Sequence, residues 1–130
     1  MNRDERAAIA RALKAAEEGT TGRIGVRVIP DRDCDAFERA KREFVRANLH
    51  RHDHANAALI LVAPKARRFA VIGDRALHDR VGDAFWRNIV EQTQPYFTRG
   101  ALCEGIVYAI GRIGEAMHAH FGDEPVEETS

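Results

Sequence analysis

Acidic and histidine side chains concentrate in two short stretches of this sequence, and their types could support chemistry. The two stretches contain His50, His52, Asp53, His54, and then Asp74, His78, Asp79 and Asp83. Carboxylates combined with hydroxyl and carbonyl oxygens suit calcium or magnesium, whereas imidazoles mixed with carboxylates suit zinc, iron or manganese. The candidate cation ligands are the four carboxylates Asp74, Asp79, Asp83 and Asp53.

The same residues also have structural interpretations. Asp74 can cap the turn before the following helix, and Asp83 can compensate a helix dipole. The histidines can simply form a solvated loop. Asp74 is the strongest candidate ligand, because it directly follows a predicted strand that fixes its backbone.

Motifs of nucleophilic and nucleotide-dependent enzymes are missing from the sequence. It contains no GxSxG elbow, Walker loop, HExxH pair or CxxC pair, and no GxGxxG after a strand. Cys34 and Cys103 are isolated, which predicts reduced thiols rather than a disulfide. We therefore expect no organic cofactor.

A predicted hairpin organises the elements that must position these residues. The apolar runs 57–63 and 69–72 flank a turn that begins at Pro64. The first run is apolar throughout, which indicates a strand covered on both faces. An earlier strand over 23–29 alternates apolar and polar residues, which is typical of a strand near a sheet edge.

Helical periodicity accounts for most of the remaining chain. A capping box formed by Asn2 and Glu5 predicts a first helix that ends near residue 18. Asp33 is the expected cap of a second helix, followed by a third over 79–96 and a last one after Gly100. The predicted core stripe of the second helix is Phe37, Ala40, Phe44 and Ala47.

A strand, a helix and a buried strand in succession predict a right-handed parallel crossover. The third strand then returns antiparallel. This topology places Thr20, Thr21, the histidine-rich stretch and Asp74 at one end of the sheet. The predicted fold is a three-layer α/β/α sandwich with a small mixed sheet and two C-terminal helices.

Composition limits the classes of partner. Twenty basic residues balance twenty acidic ones, which argues against general nucleic-acid binding. The charged start and the absence of a membrane-length apolar run predict a cytoplasmic protein without direct membrane insertion. We expect one domain over residues 1–122 and a disordered acidic tail over 123–130.

Several segments together resemble the TPM domain family, across about residues 5 to 121. These include TTGRIGVRVIPD, NAALILVAPKARRFAVIGD, and Pro95-Tyr96-Phe97 followed by Gly100 and Gly105. The resemblance implies an α/β/α sandwich. For some members it implies acid phosphatase activity, and for others divalent cation binding, often of calcium. Many relatives place a glycine after the Gly-Asp pair, whereas this chain has Arg75.

The resemblance and the missing nucleophile together favour a noncatalytic binding or assembly module. We expect it to respond to a divalent cation, with calcium as the candidate ion, and to bind an unknown protein partner, with a membrane-anchored protein as the candidate. The alternative is a weak metal-assisted acid phosphatase. Asp74 and Asp79 would then hold the metal, Arg75 would stabilise the phosphoryl oxygens, and His54 or His78 would protonate the leaving group.

Overall fold

The computed structural model describes residues 1–122 of the chain, so the tail predicted over 123–130 lies outside the described residues. In chain order the elements are α1 (Arg3–Glu17), β1 (Arg23–Val28), α2 (Ala36–Arg46), β2 (Ala57–Ala63), β3 (Arg68–Gly73), α3 (Arg75–Val81), α4 (Asp83–Thr98) and α5 (Leu102–Phe121). Short 3-10 turns cover Leu49–Arg51 and Pro64–Ala66.

The three strands form one mixed sheet in the order β1-β2-β3. β1 runs parallel to β2 and places Arg23 opposite Ala57. β3 runs antiparallel to β2 and places Gly73 opposite Ala58. The predicted crossover and hairpin are therefore confirmed.

Helices cover both faces of the sheet, and this explains why every residue of β2 is buried. Ile60 and Val62 point into a core shared with α1, α4 and α5. Leu59 and Leu61 point into a second core beneath α2. This alternation of side chains across the central strand confirms the α/β/α sandwich.

Two details of α2 differ from the prediction. Asp35, not Asp33, caps α2, because its side chain accepts a hydrogen bond from the amide of Glu38. Phe37 follows one residue after the start of that helix and is 56% exposed, so it is not part of the core stripe.

The helix predicted over 79–96 is two helices, α3 and α4. Gly82 separates them with a φ of 78°, which favours glycine and interrupts the helical path. The second helix continues past Pro95 to Thr98, whereas the sequence predicted an end near the proline.

α1 begins with the predicted capping box between Asn2 and Glu5. The helix packs closely against α5 at Gly114, where an added Cβ would lie 2.7 Å from the Cβ of Ala16. This glycine therefore sets the spacing of the two helices. Gly111, on the same helix, has nothing within 4 Å of an added Cβ.

A buried carboxylate on α2 is surrounded by arginines of its own helix and of β1. Glu43 is 4% exposed and accepts hydrogen bonds from Arg39 at 3.2 Å and Arg46 at 3.1 Å. Arg27 of β1 lies 3.8 Å from the same carboxylate, and Arg39 also bonds Asp31. The hydrogen bonds to Glu43 and Asp31 raise the pKa of Arg39. An arginine is charged through neutral and moderately alkaline pH even at its ordinary pKa, so its part of the cluster is retained there.

Cys103 offers a test of packing between α5 and α1. Its Sγ lies 3.6 Å from the carbonyl oxygen of Glu5, and burial raises the pKa of the thiol. Since the thiolate is the nucleophile, iodoacetamide at mildly alkaline pH should alkylate Cys103 severalfold more slowly in the folded protein than in urea. The measurement uses a Cys34→Ser variant, in which Cys103 is the one remaining cysteine and all alkylation is therefore at Cys103. Equal rates in the two states would contradict the prediction.

Candidate functional site

The sheet topology brings polar residues together where β1 and β2 begin and β3 ends. We call the set Thr21, His52, Asn56 and Asp74 the polar end of the sheet. His52 and Asn56 both bond Thr21, and the amide of Asp74 donates to the carbonyl of Ala57, the residue after Asn56, at 2.8 Å. The sequence predicted this end correctly for Thr21, His52 and Asp74, but it did not single out Asn56.

Asn56 directly precedes β2 and is completely buried. Its Nδ2 donates to the Thr21 hydroxyl at 2.8 Å, while its Oδ1 has no hydrogen-bond partner in the described residues. An unpaired buried acceptor of this kind costs roughly 1–3 kcal/mol unless a water or an ion satisfies it. The sequence feature that could have identified Asn56 is its position, because it is a polar residue directly before an entirely apolar strand.

His52 is held by the backbone of the neighbouring strand connection. Its Nε2 lies 2.6 Å from the carbonyl oxygen of Thr21, which can only accept a hydrogen bond. Nε2 therefore carries a proton, and in the neutral ring Nδ1 has a free lone pair. Metal-binding histidines are commonly oriented by such a bond from the other ring nitrogen. The ring centroid of His54 lies 5.8 Å away.

His78 is engaged at both ring nitrogens. Trp86 Nε1 donates to His78 Nδ1 at 3.0 Å, and an indole nitrogen can only donate. The neutral ring therefore carries its proton on Nε2, which lies 3.3 Å from Asp83 Oδ1. A metal at either nitrogen would have to displace one of these contacts.

The predicted carboxylate ligands lie in different settings. Asp74 caps α3, its Oδ1 accepting from the amide of Arg75 at 2.7 Å. Asp79 is exposed on α3, Asp83 is exposed beside His78, and Asp53 is exposed in the loop before β2. Within residues 1–122, no three His, Cys, Asp or Glu side chains gather in a way that could hold a metal ion.

The potential ligands at the polar end of the sheet fit a hard cation such as calcium better than a zinc-like ion. A zinc-like ion requires several nitrogen, sulfur or carboxylate ligands in one place. A hard ion such as calcium also accepts amide, carbonyl, hydroxyl and water oxygens. The unpaired Asn56 Oδ1 is an oxygen ligand of the second kind.

A family model described as TPM domain matches residues 1–116 of the chain. The chain belongs to the TPM domain family. No curated protein matches this TPM domain. In the part of the chain that the structure describes, no helix combines the length and apolar character needed to cross a bilayer.

Solved structures of similar fold come from several bacteria. The NMR structure of the BA42 protein from psychrophilic Bizionia argentinensis is 29% identical, with a TM-score of 0.86 over 99% of this TPM domain and 90% of that chain. The N-terminal domain of a P. gingivalis protein is 14% identical, with a TM-score of 0.80 over 95% and 82% of the two chains. An N-terminal domain from Corynebacterium glutamicum is 13% identical, with a TM-score of 0.72 over 100% and 82%.

Proposed function

We propose that this TPM domain is a noncatalytic binding module that responds to a divalent cation, with calcium as the first candidate. The observation that supports this is the buried Asn56 Oδ1 without a partner at the polar end of the sheet. A cation or its bound water would satisfy this oxygen.

The response would arise from charge and loop order. Asp53 and Asp74 belong to the two connections that meet at the polar end, and they add negative charge there. A bound cation neutralises that charge and orders both connections, which then present a defined surface to a protein partner. Few charged ligands predict weak affinity. The family resemblance supports a partner in a membrane-associated assembly.

A calcium titration followed by nitrogen-15 NMR tests the proposal. We expect shifts at the amides of Thr21, Asn56 and Asp74 and at the Asn56 side-chain amide. Asp74→Asn keeps an oxygen to cap α3 but removes the charge, so it should weaken calcium binding severalfold while preserving the fold. These shifts report the cation directly.

Asp33→Asn is the matched control, because Asp33 is exposed in the loop before α2, after the far end of β1. It should leave the titration unchanged. The absence of shifts at millimolar calcium would overturn the cation part of the proposal. If Asp74→Asn and Asp33→Asn weakened calcium binding equally, the binding would be nonspecific electrostatic attraction and not a site at the polar end.

The phosphatase alternative lacks a specific supporting observation in residues 1–122. Asp74 Oδ1 is engaged as a helix cap, and both nitrogens of His78 have contacts. We therefore expect no metal-dependent hydrolysis of an aryl phosphate above that of an Asp74→Ala variant. Hydrolysis that disappears in this variant would favour the phosphatase instead.

A further inference from the structure

A cavity lies at the end of the sheet opposite the polar end, between the β2–β3 turn and the connection from α4 to α5. Its volume is about 540 Å³, which is within the range of small-molecule sites in proteins. The cavity shares no lining residue with the polar end of the sheet, so a ligand bound in it is separate from the proposed cation.

The inner wall of the cavity is apolar. Val62 of β2 is 1% exposed, and Phe69, Phe97 and Leu102 are half-buried around it. The two phenylalanine rings pack edge to face with their centroids 4.9 Å apart, which fixes the shape of the wall. Water against such a wall has few hydrogen-bond partners, so an apolar group displaces it favourably.

The rim of the cavity is positively charged. Arg67 and Arg68 line it, both are exposed, and neither forms an ion pair within residues 1–122. No carboxylate side chain among the described residues lines the cavity. A guanidinium group binds carboxylates and phosphates through two parallel hydrogen bonds. The rim is therefore complementary to an anionic group, and the wall beneath it is complementary to an apolar one.

The backbone of Arg67 supports a role for its side chain. Its φ of 54° and ψ of 42° are left-handed, a conformation that glycine adopts more readily than other residues. Residues held in such sparsely populated conformations cluster at ligand sites. The arginine makes the turn less stable than a glycine would, and it places a guanidinium group at the rim of the cavity.

We propose that this cavity binds a small anionic amphiphile, namely a free fatty carboxylate with an apolar body and one charged head group. The body lies against Phe69, Phe97 and Leu102, and the head group accepts hydrogen bonds from Arg67 and Arg68. A purely ionic ligand such as phosphate would leave the apolar wall hydrated. A neutral alcohol would leave both arginines without a partner. The wall and the rim together therefore select the amphiphile.

A titration with octanoate, followed by nitrogen-15 NMR in the presence of EDTA, tests the proposal. We expect shifts at amides that line the cavity, namely Arg68, Phe69, Phe97 and Leu102. The amide of Asp74, at the polar end, should not shift. Acetate lacks the apolar body and octan-1-ol lacks the charge, so each should bind about tenfold or more weakly.

Arg67→Gly removes one guanidinium group and relieves the left-handed backbone at the same position. Octanoate binding should weaken about fivefold or more, while the urea midpoint of unfolding stays the same or rises. A purely structural role for Arg67 would lower the midpoint instead. Arg68→Gln removes the second charge from a residue with ordinary strand backbone, and it should weaken binding in the same way.

Lys65→Gln is the matched control, because Lys65 is exposed in the same turn but does not line the cavity. It removes the same charge and should leave octanoate binding within about twofold. The absence of shifts at millimolar octanoate would overturn the proposal, as would equal binding of acetate or octan-1-ol. Equal weakening by Lys65→Gln and the two arginine variants would also overturn it.

Vesicles that contain phosphatidylglycerol separate a free amphiphile from a membrane surface. Binding to these vesicles without binding of free octanoate would overturn the proposal and assign the basic turn to a membrane. Failure of these experiments leaves the calcium titration unaffected, because the two sites lie at opposite ends of the sheet.

Discussion

Replacing Gly114 with alanine should lower the free energy of unfolding by about 1–3 kcal/mol, as overpacking in a well-packed interface does. The new Cβ would lie 2.7 Å from the Cβ of Ala16 and 3.0 Å from its Cα. The second contact is with backbone, so α1 as a whole has to move away from α5. Urea denaturation followed by circular dichroism measures the change.

The same substitution at Gly111 should have the opposite sign. An added Cβ at Gly111 meets nothing within 4 Å, so alanine gains only helix propensity, about 0.5–1 kcal/mol. Ala16→Gly in the Gly114→Ala background should recover part of the loss, because it removes the contacted methyl group. If Gly114→Ala proved as stable as Gly111→Ala, the close approach of the two helices would be wrong.

Replacing Glu43 with alanine should lower the free energy of unfolding by about 2–3 kcal/mol. Its carboxylate is 4% exposed and accepts charged hydrogen bonds from Arg39 and Arg46. Bonds to charged groups contribute about 1.5–3 kcal/mol, and their loss leaves the neighbouring guanidinium groups without a buried acceptor. Glu43→Gln keeps one acceptor oxygen, so its loss should be smaller.

Glu38→Ala is the matched control on the same helix. Glu38 forms an exposed ion pair with Lys41 at 2.8 Å, and exposed pairs contribute about 0–1 kcal/mol. Thermal and urea unfolding of the three variants give the comparison. Equal losses from Glu38→Ala and Glu43→Ala would show that the buried carboxylate contributes no more than an exposed one.

Local patterns predicted the sheet well because each strand has a distinct environment. The unbroken apolar run of β2 required cover on both faces, and Pro64 marked the return to β3. The capping box at Asn2 and Glu5 predicted the start of α1 because both partners lie within one turn. In each case the deciding contact is close in sequence or repeats along the strand.

Features decided by distant contacts were not predictable in this way. The apolar stripe continues through Gly82, so periodicity alone joined α3 and α4 into one helix. Asp33 and Asp35 have the same capping chemistry, and the path of the chain into α2 decides between them. Asn56 depends on Thr21, which is 35 residues away. The exposure of Phe37 likewise depends on where α2 lies over the sheet edge.

The chain contains a single tryptophan, Trp86, which lies between the end of β3 and α3. Its ring covers Gly73 at the β3 edge, and its Nε1 donates to His78 in the helix that Asp74 caps. Ultraviolet emission from this one indole is therefore an intrinsic, label-free reporter. A shift of the ring away from Gly73 would change the polarity around it, whereas a movement of α3 away from α4 would remove the His78 acceptor of the indole. The two events should leave distinguishable optical signatures in the unmodified protein.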